Sequence, residues 1–149
     1  MTKASLTTIG LALAAFSVAC ASSRGANDAP RRAVVQFDFQ ALKPSTVRIP
    51  ADGTVVWSNI APDSRGFVAF PESAATAFRC PAGLGAHFQR TSDGYLSPPI
   101  NSFESPGVEL PCPLQPGTYS YEIWILGIGL GATDPGVPER RLPGKIVVE

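Results

Sequence analysis

The most informative stretch of this 149-residue chain is Gln115-Pro116-Gly117-Thr118-Tyr119-Ser120-Tyr121-Glu122-Ile123. Proline and glycine at its start mark a turn. From there on, apolar and other side chains alternate, with Tyr119, Tyr121, Ile123 and Ile125 on one face and Ser120, Glu122 and Trp124 on the other. This period of two predicts a β-strand whose first face is buried and whose second face points outward.

The same kind of pattern recurs along the chain. Short runs of β-forming residues lie at 33–39, 46–49, 54–59, 67–70 and 144–149. After the first 20 residues, no segment carries an apolar stripe with the helical period. Several short strands punctuated by proline and glycine predict an all-β protein, either a sandwich or a barrel.

The strand pattern dissolves between Pro71 and Pro113. A structureless connection of this length is unusual in a compact domain, so we expect short strands or a helical turn within it, for example at 74–78. Cys20 is either lipidated or removed with a leader, and both outcomes leave Cys80 and Cys112 as a pair. In an oxidising compartment such a pair forms a disulfide, which would tie the start of this irregular insertion to its end.

Residues 1–20 resemble an export signal. Lys3 precedes the apolar run 9–16, which is too short to span a bilayer and is followed by small residues. The ending Val18-Ala19-Cys20 resembles a bacterial lipobox and predicts lipidation of Cys20. Because no aspartate follows the cysteine, this interpretation places an outer-membrane lipoprotein facing the periplasm. Cleavage after Ala21 by the ordinary signal peptidase is the alternative, and it would leave the protein soluble in the periplasm.

The rest of the chain divides in two. Residues 21–32 are mostly small or polar and have no apolar periodicity, which predicts a flexible tether. Residues 33–149 have the size of one domain.

Charge and residue types exclude several functions. The chain has 12 Lys and Arg against 12 Asp and Glu, so it lacks the basic surplus expected of a nucleic-acid-binding protein. His87 is its single histidine, which we interpret as a loop residue rather than a base or ligand. No nucleophile elbow, zinc-protease helix motif or phosphate-binding loop is present. We therefore predict no enzymatic activity and no catalytic residue.

Three motifs, in this order, resemble the cupredoxin family of blue-copper proteins. They are Lys43-Pro44-Ser45-Thr46-Val47-Arg48-Ile49, then Asp52-Gly53-Thr54-Val55-Val56-Trp57-Ser58-Asn59, then Pro116-Gly117-Thr118-Tyr119-Ser120-Tyr121 ahead of the run at 144–149. The resemblance covers most of 33–149 and implies a cupredoxin-like Greek-key β-sandwich. It also implies that Asn59 forms hydrogen bonds within the loop that follows it.

The resemblance fails at the copper ligands. Gly66 or Arg65 stands where the family has a histidine, and Ile123 stands where it has the cysteine. The loop 124–131, which should supply a second histidine and a methionine, has neither. A blue-copper centre needs a thiolate and two imidazoles, so we expect neither a metal nor another cofactor.

The loop 124–131 is instead rich in aliphatic residues and glycine. One interpretation is that its side chains fill the space that copper would occupy. The other is an apolar contact surface for a partner or a membrane, formed by Trp124, Ile125, Leu126, Ile128 and Leu130.

Together these observations predict a metal-free, non-catalytic, cupredoxin-like lipoprotein of the bacterial cell envelope that acts as a binding or structural module. It would contact the membrane through its N-terminal lipid and bind an envelope protein. The alternative is a periplasmic copper-binding cupredoxin that transfers electrons, against which the scarcity of histidine and cysteine argues.

Overall fold

Two β-sheets form the protein, as a computed structural model describes it for residues 29–127 and 138–149. The strands are β1 Arg32–Phe37, β2 Leu42–Lys43, β3 Thr46–Ile49, β4 Thr54–Asn59, β5 Ser64–Pro71, β6 Gln89–Arg90, β7 Gly94–Leu96, β8 Ile100–Asn101, β9 Gly107–Glu109, β10 Gly117–Gly127 and β11 Arg140–Val148. Two short 3-10 helices, Glu72–Ala77 and Leu84–Ala86, lie between β5 and β6.

The smaller sheet has the strand order β2-β1-β4-β9, and the larger sheet has the order β3-β11-β10-β5-β7-β6 with β8 beside β5. Most neighbouring strands are antiparallel. Two pairs are parallel, namely β1 with β4 and β3 with β11. Each parallel pair joins strands from different parts of the chain, so the sandwich is not a simple meander of hairpins.

The core lies between the two sheets and follows the predicted alternation. Val35 and Phe37 of β1 and Trp57 of β4 are fully buried, as are Ile123 and Ile125 of β10. Tyr121 is also buried, whereas Tyr119 at the start of the strand is only half-buried. The rings of Trp57, Phe70 and Tyr121 pack edge-on or tilted, with centroids 5.3–6.0 Å apart, which is the range favoured by aromatic pairs.

The insertion between β5 and β10 is tied down at both ends. Cys80 and Cys112 form the predicted disulfide. Beside it, Arg79 N donates a hydrogen bond to Pro113 O at 2.8 Å, and Gln115 N donates one to Ala77 O at 2.9 Å. The predicted fold class, an all-β sandwich with a long irregular insertion tied by a disulfide, is confirmed.

The sandwich has two distinct ends. β1 and β4 run in parallel, with Phe37 opposite Asn59, so both finish at one end. We call this the loop end; it carries the connections 38–41, 60–63 and 102–106. The opposite end carries the chain entry before Arg32 and the turn 50–53, and we call it the entry end.

The predicted signal at 1–20 and most of the predicted tether at 21–32 lie outside the described residues. In the part of the chain that is described, no helix is long and apolar enough to cross a membrane.

Candidate functional site

An aromatic ring fills the place where the family would put a histidine. Gly66 is buried in β5, beside the fully buried ring of Phe37. A Cβ atom at Gly66 would overlap Phe37 Cε2 and Cζ. Any side chain at this position would therefore have to displace the phenyl ring from the core.

The neighbouring positions are equally apolar. Gly66 lies opposite Ile125 across the β5–β10 pair, and Val68 lies opposite Ile123. Ile123 and Ile125 are both fully buried. These residues offer no nitrogen or sulfur to a metal, and a blue-copper centre does not fit them. Among the residues in the two described ranges, no three His, Cys, Asp or Glu side chains come together as a metal site.

The sequence reasoning missed Phe37 as the residue that fills this space. It assigned the filling to aliphatic side chains of 124–131, of which Ile125 does lie in the core. The available signal was a glycine at a position where a core strand normally carries a side chain. A glycine inside a strand often marks a place where another group approaches closely, and here that group is the ring of Phe37.

Trp124 lies on the opposite face of β10 from Ile123, as predicted, but it is only 7% exposed. With Phe67, Ala69, Leu96 and Leu126 it forms a second apolar cluster on the outer face of the larger sheet. Its indole Nε1 donates a hydrogen bond to Glu122 Oε2 at 2.9 Å.

These positions bear on the predicted partner surface. Ile125 is fully buried in the main core, whereas Trp124 and Leu126 lie in the second cluster and keep 7% and 5% of their surface exposed. Ile128 and Leu130 lie outside the described residues, and a contact surface formed by them stays a prediction.

Three of the four exposed large apolar side chains among the described residues lie on the loop-end connections. Phe39 is 40% exposed, Ile60 52% and Phe103 78%. Phe39 follows β1, Ile60 follows β4, and Phe103 lies between β8 and β9. Backbone hydrogen bonds join these connections, because Ile60 N donates to Phe37 O at 2.9 Å and Asn59 N donates to Pro106 O at 3.2 Å.

An Asp or Asn side chain orders the turn that carries each of the first two residues. Asp38 Oδ1 accepts hydrogen bonds from the backbone N–H groups of Gln40 and Ala41, both at 2.7 Å, and these bonds close the turn across Phe39. These bonds lower the pKa of Asp38. Asn59 Oδ1 likewise accepts from Ala61 N at 2.9 Å, across Ile60. Turns of this kind are Asx-turns.

The third turn is ordered in the same way. Asn101 Oδ1 accepts from the backbone N–H groups of Phe103, Glu104 and Ser105 at 2.6–3.2 Å. In addition, Asn59 Nδ2 donates to Ser64 O at 2.8 Å, which confirms the predicted role of Asn59 in its loop. The sequence analysis did not identify the other two turns, although an Asp or Asn one or two residues before an apolar residue is their visible signal.

The core contains a second unusual group, the hydroxyl of Tyr121. Neither Tyr121 Oη nor the nearby Trp57 Nε1 has a hydrogen-bond partner among the described residues. Burial raises the pKa of Tyr121 to about 12, although the indole of Trp57 opposes that shift. This phenol remains protonated at physiological pH. His87, in contrast, is exposed at the end of the second 3-10 helix.

Comparisons with known proteins find solved structures that are similar to this chain at low sequence identity. No family model matches the chain, and no curated protein matches it. A purple cupredoxin from Nitrosopumilus maritimus is 15% identical, covers 78% of this chain and 99% of its own, and has a TM-score of 0.44. An auracyanin from Roseiflexus castenholzii is 14% identical, with 81% and 98% covered and a TM-score of 0.44.

A third similar structure is auracyanin A, a "blue" copper protein from Chloroflexus aurantiacus. It is 18% identical, covers 79% of this chain and 99% of its own, and has a TM-score of 0.41. The strands and side-chain contacts of this chain define its fold and the apolar filling beside Gly66.

Proposed function

We propose that this protein is a metal-free, non-catalytic, cupredoxin-like module of the bacterial cell envelope that binds a partner protein through its loop end. The observation that carries the proposal is the display of Phe39, Ile60 and Phe103 on three Asx-turns. Clustered exposed apolar side chains usually mark an interaction surface. Aromatic side chains held in place before binding lose little entropy on contact, which favours affinity.

The core beside Gly66 supports the metal-free part of the proposal. Gly66 and Ile123 stand where a copper centre of the family would need an imidazole and a thiolate, and Phe37 and Ile125 fill the space beside Gly66. Those residues stabilise the sandwich by burying apolar surface. The loop end is then free to act as a contact surface rather than as the rim of a redox centre.

Membrane attachment through Cys20 would suit this arrangement. The described chain enters β1 at Arg32, at the entry end, while the three apolar residues lie at the opposite end. A lipid on Cys20, joined to the domain through the tether, holds the entry end near the membrane. The loop end is left to face a protein in the periplasm.

Site-directed photocrosslinking in envelope preparations tests the contact surface. A photoreactive amino acid replaces Phe103 in one variant and Val34 in another. Val34 is the matched control, because it is 46% exposed but lies in the middle of β1, away from the loop end. We expect a discrete crosslinked protein from position 103 that is absent from position 34. Replacing Ile60 with serine in the position-103 variant should weaken this crosslink strongly.

Equal crosslinking from both positions would contradict a contact surface at the loop end. Copper titration of the purified protein tests the metal-free part separately. We expect no intense visible absorption of the copper–thiolate kind. A stoichiometric blue species would support the electron-transfer alternative instead.

A further inference from the structure

The outer face of the larger sheet is apolar where a sandwich usually turns polar residues to water. β5 is buried on both faces, with Val68 and Phe70 in the main core and Phe67 and Ala69 in the second cluster. A strand buried on both sides needs cover on both sides. Part of that outer face opens into a cavity of about 500 Å³.

The cavity has an apolar floor and polar edges. Ala69, Leu96, Trp124 and Pro143 contribute apolar surface, and they come from β5, β7, β10 and β11. This combination of an apolar concavity with a few convergent polar groups is the usual form of a small-molecule site. It lies along the sheet face and does not include Phe39, Ile60 or Phe103.

Two of the charged groups in the cavity are already paired with each other. Arg141 Nη1 lies 3.6 Å from Glu122 Oε2. The guanidinium of Arg141 also lies over the ring of Trp124, 4.5 Å from its centroid, and the same indole donates to Glu122. This triad neutralises its own charges and fixes one wall of the cavity.

The other two charged groups have no ion-pair partner among the described residues. Lys145 stands on β11 between Thr46 of β3 and Ser120 of β10 in the strand register. An ammonium group flanked by two hydroxyl groups suits a carboxylate. Asp93 lies on the turn between β6 and β7 with Thr91, and both line the same cavity. Asp93 therefore offers a carboxylate to a cationic group.

We propose that this cavity binds a di- or tripeptide with free termini and apolar side chains. Its C-terminal carboxylate pairs with Lys145, and its N-terminal ammonium pairs with Asp93. Its side chains contact the floor formed by Ala69, Leu96 and Trp124. The volume lies within the usual range for sites of small ligands, roughly 300–1,000 Å³. A neutral sugar or a fatty acid would leave one or both charged groups without a partner.

Peptides with one blocked terminus make this proposal testable group by group. The probes are leucyl-leucine, its N-acetyl form, which keeps only the carboxylate, and its amide, which keeps only the ammonium. We expect Lys145→Gln to weaken binding of the free and acetylated peptides roughly tenfold, the order of a charge-assisted hydrogen bond, and to leave the amide unchanged. Asp93→Asn should weaken the free peptide and the amide and leave the acetylated form unchanged.

Calorimetry supplies the affinities, and the indole N–H signals of the two tryptophans locate the ligand. The Trp124 signal should shift on titration, while that of Trp57, which is fully buried between the sheets, should not. Lys43→Gln and Asp63→Asn are matched controls outside the cavity and should bind like the wild type. Absence of saturable binding at millimolar leucyl-leucine, or equal weakening of all three probes by both variants, would overturn the proposal.

Discussion

At the scale of single residues, the hydroxyl of Tyr121 gives a sharp test of the core. Because Tyr121 Oη is buried without a partner among the described residues, Tyr121→Phe should leave the free energy of unfolding unchanged or raise it by up to about 1 kcal/mol. Tyr119→Phe is the matched control. Its hydroxyl donates to Gln115 O at 2.9 Å, so its loss should cost about 0.5–1.5 kcal/mol. Urea unfolding of both variants measures the difference.

The same hydroxyl predicts a pH dependence. Burial raises the pKa of Tyr121 to about 12, whereas an unfolded tyrosine titrates near its ordinary value of about 10. Between these two values the unfolded chain loses the proton first, so stability falls by about 1.4 kcal/mol per pH unit from this group alone. The stability of Tyr121→Phe should fall less steeply over that interval. Parallel slopes for the two proteins would contradict the burial of a protonated phenol.

Gly66 is the second residue at which a substitution has a clear expected effect, namely a lower free energy of unfolding. Gly66→Ala places a methyl group into the ring of Phe37, and overpacking of this kind costs about 1–3 kcal/mol. Gly85→Ala is the control, because its Cβ would meet Tyr95 Cε1 at an ordinary 3.7 Å. The midpoint of urea unfolding should move to lower urea for the first variant and change little for the second. A Gly66→Ala protein as stable as the wild type would refute the filling of this site by Phe37.

At the scale of elements, the disulfide holds the insertion. It joins residues 32 positions apart, and the chain-entropy model gives about 3–4 kcal/mol for a loop of this length. Reduction should therefore lower the melting temperature by roughly 10 °C or more for a domain of this size. Cys80→Ser/Cys112→Ser should melt near the reduced wild type and should not respond to reductant. An equal melting point for the oxidised and reduced protein would show that the hydrogen bonds beside the bridge suffice to hold the insertion.

The elements that the sequence predicts well are those with a strict period of two. The runs at 33–39, 46–49 and 54–59 and the strand after Pro116 all form strands close to their predicted bounds. The short strands β6 to β9 have two or three residues each, too few to show any period. Their positions depend on pairing with distant strands, which sequence reasoning on local patterns does not capture.

Some features of the candidate site could likewise be predicted from the sequence, and others could not. The missing copper ligands are a matter of residue type and are visible in the sequence alone. The filling by Phe37 and the grouping of Phe39, Ile60 and Phe103 depend on which strands end together. Trp124 shows the limit of the alternation rule: it predicted the face correctly but not the second apolar cluster that buries the side chain.

At the scale of the whole molecule, the position of the chain entry predicts how the domain is attached. Cys20→Ser removes the proposed lipidation site and precedes every described strand in the sequence, so we expect a folded domain that leaves the membrane fraction or stays as unprocessed precursor. Several acyl chains, at about 0.8 kcal/mol per buried methylene, hold far more firmly than one. Membrane fractionation and N-terminal sequencing measure the outcome. Wild-type protein found soluble and beginning at Ser22 would show ordinary cleavage after Ala21.

The parallel pairing of β3 with β11 also affects when the larger sheet can form during synthesis. β3 is synthesised early, but its neighbour in the larger sheet is made only when residues 140–148 leave the ribosome. Until then β3 has no strand to join, and contacts of such long sequence separation form slowly. A nascent chain that cannot close its larger sheet stays open throughout translation. On the proposed export route, that delay would keep the polypeptide in the unfolded state that passes through a secretion channel.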